Sequence, residues 1–174
     1  ILERDVIILG ADQTLEPDNG FAGGDSLVVV GAGGANVTAH IDGLDFQSSG
    51  VVMARAVRVG EQHFAVLDGV SILGFTLTPG EGGAVLGEPG SKIVITTSHL
   101  AANRADSGGA VYIDGGELAM KGSVLNSNDA EYGAALATGP GATVSVLDSR
   151  FLFNRATVDG CLLYTSDAAD DQAC

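Results

Sequence analysis

The chain has 174 residues, of which 26 are Gly and none is Trp, with 45% hydrophobic and only 17% charged side chains. Its net charge of −14 and pI near 4.2 argue against nucleic acid or an anionic membrane surface as partner, because binding there relies on clustered Lys and Arg. Glycine without a Gly-X-Y period excludes collagen, and the absence of any run of 18 apolar residues predicts no transmembrane helix.

Residues 1–26 open on Ile1 and not Met, with no signal-peptide pattern, as expected of a fragment whose true start is missing. They hold one apolar run, Val6 to Leu9, and then the turn formers Asp18, Asn19, Gly20, Gly23 and Gly24, which predicts a short strand and a loop. The run Leu27 to Val30 predicts the next strand. It leads into Gly31-Ala32-Gly33-Gly34, which invites a dinucleotide-binding reading. That fingerprint needs a helix starting within the glycines. Here Val37 to Gly43 alternates with no helical period, so a glycine corner between two strands accounts for it better. Asn36-Val37-Thr38 is a glycosylation sequon, meaningful only in a secreted eukaryotic protein.

Residues 46–62 are the least periodic, with Val51, Val52, Met53, Val57 and Val59 as candidate strand positions. From Phe64 the alternation sharpens through the pairs Phe64/Val66, Val70/Ile72 and Phe75/Leu77. Three copies of one unit follow, starting at Gly82, Gly108 and Gly133. Asn103, Asn128 and Asn154 stand 25 and 26 residues apart, and the triplets Ile93/Leu118/Val144, Ile95/Met120/Val146 and Leu100/Leu125/Phe151 keep the same step. A fixed period of this size marks a repeat architecture whose units bury their apolar faces only by stacking. No segment keeps a helical period over three turns. The prediction is therefore an all-β, right-handed parallel β-helix with coils of about 25 residues, forming one domain over 1–160. Within it, 82–159 are clear repeats and 1–81 are less regular coils or a cap. Stacked at ~4.8 Å, Asn103, Asn128 and Asn154 would form a structural ladder, their amides bonding one another and the corner backbone. Ala105, Ala130 and Ala156, two residues on, fit beneath that corner.

The GGAVY at 108–112 and the Leu/Phe-x-x-Asn corners resemble the GGAI and FxxN repeats of chlamydial-type polymorphic outer membrane proteins. More broadly the chain is similar to right-handed β-helix proteins of the pectin-lyase-like class. Phe151 to Asn154 matches FxxN itself, whereas Leu100 and Leu125 replace the Phe elsewhere and Gly133-Ala134 departs from the paired glycines. The resemblance implies an extracellular or cell-surface passenger module, adhesin-like, contacting polysaccharide or a surface protein. The last stretch, 161–174, breaks the repeat and contains both cysteines, Cys161 and Cys174. Its CLLYTSDAAD resembles a translated sequencing adapter, so a non-native or disordered tail is expected there.

The alternative to a non-catalytic module is a fragment of a polysaccharide lyase- or hydrolase-like β-helix enzyme. Its candidate carboxylates are Asp106, Asp114, Glu117, Asp129, Glu131, Asp148 and Asp159, and its candidate bases Arg104, Lys121, Arg150 and Arg155. Arg104, Asp129 and Arg155 follow the three asparagines and would stack as a charge column, read here as a surface ladder worth about 0.2–1 kcal/mol per pair. No G-x-S-x-G elbow occurs, and His40, His63 and His99 lack metal-site spacing. No catalytic residue, metal or cofactor is assigned.

Overall fold

The structure, a computed structural model, describes residues 6–17, 26–31, 36–48, 53–160 and 163–165. They form a parallel β-solenoid of about five turns with no helix. In chain order the irregular N-terminal coils give β1 (Val6–Leu15), β2 (Ser26–Val30), β3 (Thr38–Gln47), β4 (Arg55–Val59), β5 (Phe64–Asp68), β6 (Ser71–Leu73) and β7 (Thr76–Glu81). The first clear repeat gives β8 (Val85–Gly87), β9 (Lys92–Thr96), β10 (His99–Ala101) and β11 (Arg104–Ser107). The second gives β12 (Val111–Ile113), β13 (Glu117–Lys121), β14 (Val124–Asn126) and β15 (Asp129–Tyr132). The third gives β16 (Leu136–Thr138), β17 (Thr143–Leu147), β18 (Arg150–Leu152) and β19 (Arg155–Asp159), and β20 (Leu163–Thr165) follows.

From β4 onward each coil passes through three faces. A six-stranded sheet stacks β2-β4-β8-β12-β16-β20, and a four-stranded sheet stacks β19-β15-β11-β7. The largest sheet has ten strands and bends between β5 and β6 and their equivalents; β3 crosses the bend whole, and β1 pairs with β3. Every pairing is parallel, so residues one coil apart sit side by side. One inward column runs Ala39, Ala65, Ile93, Leu118, Val144, and the next Ile41, Leu67, Ile95, Met120, Val146. Their members from Ala39 to Leu118 and from Ile41 to Met120 are buried, and this interior is the core.

The coils repeat about every 26 residues, but the N-terminal ones are longer. Val28 pairs with Val57 and Val57 with Val85, whereas Val111 pairs with Leu136. Part of the excess is Pro79-Gly80: Leu77 pairs with Ala105 but Glu81 with Ser107, so two extra residues bulge from β7. At the start of each repeat the two small residues have separate reasons. Gly82, Gly108 and Gly133 have φ of +62°, +61° and +54°, where a side chain is strained. Gly83 and Gly109 are kept bare by packing, because a Cβ on either would strike the carbonyl oxygen of Gly109 or Ala134 in the next coil.

Several expectations meet different outcomes. In β5 the inward residues are Ala65 and Leu67, while Phe64 and Val66 lie on the outer side. Met53 is exposed and forms a single bridge to Thr76, and Val51 and Val52 lie outside the described residues. The glycine corner begins with Gly31 at φ +70° and leads into a strand, β3; residues 32–35 and the loop 18–25 lie outside the described residues. Within the tail, Leu163–Thr165 pairs with β16 and adds a sixth strand to its sheet. Cys161 and Cys174 lie outside the described residues.

Candidate functional site

The corner between the ten-stranded and four-stranded sheets carries the asparagines. Ala102, Ser127 and Phe153 have φ of +55°, +54° and +55°, and this left-handed step turns the next residue inward. Asn103 and Asn128 are fully buried and Asn154 nearly so. The Asn128 Nδ2 donates to Leu100 O at 3.1 Å and to Asn154 Oδ1 at 2.9 Å, and its Oδ1 accepts from the backbone N of Asn103 at 3.0 Å. Asn103 repeats the pattern toward Ile72 O and Asn128 Oδ1, and its own Oδ1 accepts from the backbone N of Phe75 at 3.1 Å. Phe75 fills the same slot one coil earlier, so a buried aromatic ring ends the amide series there. These residues are bound to one another on every side, which leaves no polar atom of Asn103 or Asn128 for a ligand.

A second ladder lies at the bend of the ten-stranded sheet and was missed in the sequence. Ser98, Ser123 and Ser149 each donate from Oγ to the carbonyl two residues before, at 2.6, 3.1 and 3.0 Å. The same oxygens accept from the backbone N of Val70, Ser98 and Ser123 at 3.1, 3.2 and 3.2 Å. The signal was present, since these serines keep the 25- and 26-residue step of the asparagines.

The outer face of the four-stranded sheet gathers the charges. Thr76, Arg104, Asp129 and Arg155 form one row in register. Arg155 Nε lies 3.8 Å from Asp129 Oδ2, an exposed ion pair of small energetic worth. Beside this row a shallow groove of about 280 Å³ is lined by Thr78, Asp106, Glu131 and Thr157 together with the charged row. A wider hollow of about 380 Å³ continues it across the bulge to Glu81 and Arg55, and Asp106 lines both. The Asp106 Oδ2 accepts from Gly80 N at 3.2 Å, which ties the bulge to the groove. Burial and the nearby Asp114 raise the Glu81 pKa from its ordinary value; Arg55 opposes this and Asp106 adds to it.

The other candidates are dispersed. Glu117 pairs with Lys92 at 3.1 Å on the outer side of the ten-stranded sheet, where Lys121 also lies. Arg150 and His99 share an outer row with Val124, Asp148 occupies a left-handed turn at φ +50°, and Asp159 ends β19. His63 is buried, with Nδ1 accepting from Val37 N at 2.9 Å. Asn36 of the sequon is exposed. Among the described residues no three His, Cys, Asp or Glu side chains are grouped so as to hold a metal ion, and no helix is long and apolar enough to cross a membrane.

No family model matches the chain, and no solved structure matches it. It is 34% identical over 83 residues to metabotropic glutamate receptor-like protein R of Dictyostelium discoideum. That alignment covers 48% of this chain and 5% of the other, so the match spans only a small part of that protein's length.

Proposed function

We propose that this chain is a non-catalytic β-helical binding module, secreted or displayed at the cell surface, whose four-stranded sheet contacts a carbohydrate or protein ligand. The carrying observation is the groove. Arg104, Asp129 and Arg155, with Asp106 and Glu131 beside them, place hydrogen-bonding charges at successive coil steps of ~4.8 Å along an open, shallow face. An extended ligand meets cationic and anionic groups in alternation at successive steps, on the kind of extended surface that solenoids present. The partial likeness to a receptor-like protein and the pectin-lyase-like and polymorphic-outer-membrane-protein resemblance of the repeats favour the same reading. The test presents the full chain to neutral and acidic polysaccharides in affinity electrophoresis, while sugar ends are assayed. Retardation that Asp129→Ala abolishes, without release of reducing or unsaturated ends, is expected. No retardation by any polysaccharide and no binding to cell-surface protein would overturn it.

One observation favours a second reading, a fragment of a carbohydrate-active enzyme. Glu81 and Asp106 line one hollow, and a pair of carboxyl groups facing one site is what glycoside hydrolysis uses. Release of reducing ends that Glu81→Gln abolishes would establish it in place of the first.

A further inference from the structure

One motif of the sequence plays no part in the ladders or the groove. Asn36-Val37-Thr38 is the one Asn-x-Ser/Thr among the six asparagines of the chain. Three of the others, Asn103, Asn128 and Asn154, are buried in the corner ladder with their amides bound. Asn36 is exposed at the corner that joins β2 to β3, and Thr38, the first residue of β3, is exposed as well. Val37 between them is 2% exposed, and its backbone N donates to Nδ1 of the buried His63 at 2.9 Å. Anchoring Val37 inward turns its two neighbours to the outer side, since alternate residues of an extended segment share a face. The side-chain amide and the hydroxyl of an N-glycosylation sequon are thus presented on the same side.

The corner leaves room for a large substituent. Thr38 pairs with Phe64, and the row continues through Lys92, Glu117 and Thr143. Two residues before each of these stand Gln62, Gly90, Gly115 and Gly141, which occupy the level of Asn36 in the later coils. Of these only Gln62 carries a side chain, and a Cβ on Gly141 would meet nothing within 4 Å. The groove lies on the four-stranded sheet, whereas this corner joins the other two sheets. A substituent on Asn36 therefore stands away from the groove.

We propose that Asn36 is a site of N-linked glycosylation, an inference that rests on the reading of the chain as secreted or displayed at the cell surface. The co-substrate is an oligosaccharide carried on a lipid diphosphate. Asn36 Nδ2 forms a bond to the anomeric carbon of the sugar as the bond from that carbon to the phosphate oxygen breaks. The lipid diphosphate leaves, and one amide proton passes to a base of the transferase. The product is a bulky, solubilising group on the corner, clear of the charged row.

The full chain, led into the secretory pathway of cultured eukaryotic cells by a cleavable leader, tests this. Medium and lysate are pooled, and gel mobility is compared before and after treatment with peptide N-glycosidase in heavy-oxygen water. The expected result is a slow band that the enzyme converts to the unmodified size, with an isotope-labelled aspartate at position 36 by peptide mass mapping. Asn36→Gln and Thr38→Ala should each give the fast band alone, and Thr38→Ser should keep the slow one. The leader supplies entry to the pathway, so an unmodified wild-type Asn36 would overturn this inference without touching the secreted reading. A slow band that Asn36→Gln leaves in place would overturn it too. The groove is judged by its own polysaccharide and cell-surface binding assays, in which Asn36→Gln should behave as wild type.

Discussion

Asn103 Nδ2 donates to Asn128 Oδ1 at 3.1 Å across one coil step, inside a corner closed to solvent. The bond links two layers through side chains at the point where the backbone turns and the strand ladder is interrupted. Asn128→Ala leaves Leu100 O and the backbone N of Asn103 without these partners. Each buried group so orphaned costs about 1–3 kcal/mol, and ~1 kcal/mol corresponds to roughly 2–4 °C in a domain of this size. The melting temperature should fall by several degrees; an unchanged value would show that the ladder contributes nothing.

The serines allow a comparison within one chain. Ser123 Oγ accepts from Ser98 N and donates to Lys121 O, so Ser123→Ala should destabilise by about 1 kcal/mol. Ser91 is fully buried, yet its Oγ has no partner among the described residues. Removing that hydroxyl by Ser91→Ala should leave the melting temperature unchanged or raise it. Urea midpoints of the two variants should move in different directions or by clearly different amounts.

Two glycines separate packing from backbone strain. Gly141 has φ +75° with nothing within 4 Å of a new Cβ, so Gly141→Ala should cost only about 1–2 kcal/mol for the left-handed conformation. At Gly109 a Cβ would meet the Asp129 carbonyl oxygen at 2.6 Å and strike that of Ala134. Both are backbone atoms that cannot swing aside, so Gly109→Ala should cost more, upwards of ~3 kcal/mol. Thermal melts that rank the two the other way would contradict the packing of the paired glycines.

The Glu81 carboxyl gives stability a pH dependence of known sign. Its folded pKa is raised above 4.5 by burial and by Asp114, so the folded state holds the proton more tightly than the unfolded chain does. The stability this confers is present below pH ~4.5 and is lost as pH rises through the folded value. Asp68 runs the other way. Thr97 and Thr96 donate to it at 2.6 and 2.7 Å and lower its pKa below 3.8, so its contribution is present above that value and lost as pH falls through the lowered one. Glu81→Gln should flatten the decline in melting temperature between mildly acidic and neutral pH. A slope equal to that of wild type would refute the assignment.

The parts of this fold legible in the sequence are those where a coil keeps its length. From Gly82 onward the 25- and 26-residue steps put Ile93, Leu118 and Val144 in one column, as the pairing does. Upstream the period is hidden because Pro79-Gly80 bulges out and Phe75 stands where later coils have Asn. The inward phase of β5 was obscured because the small Ala65 faces the core while the larger Phe64 does not. The serine ladder was legible and overlooked: serines at turns are common, and only their spacing distinguishes these. The groove was not legible. Asp106 comes beside Glu81 through a two-residue irregularity in pairing, which no spacing rule anticipates.

The central claim is that successive coils are equivalent layers held by stacking, and excising one coil tests it most directly. Removing residues 104–128 leaves Asn103 leading into Asp129, as Asn128 does in the intact chain. Circular dichroism during a thermal melt should show a β-type spectrum and one cooperative transition at a lower temperature, since each layer contributes its own stability and one interface. An excised chain that is unfolded at every temperature, with no cooperative transition, would contradict the equivalence of the layers.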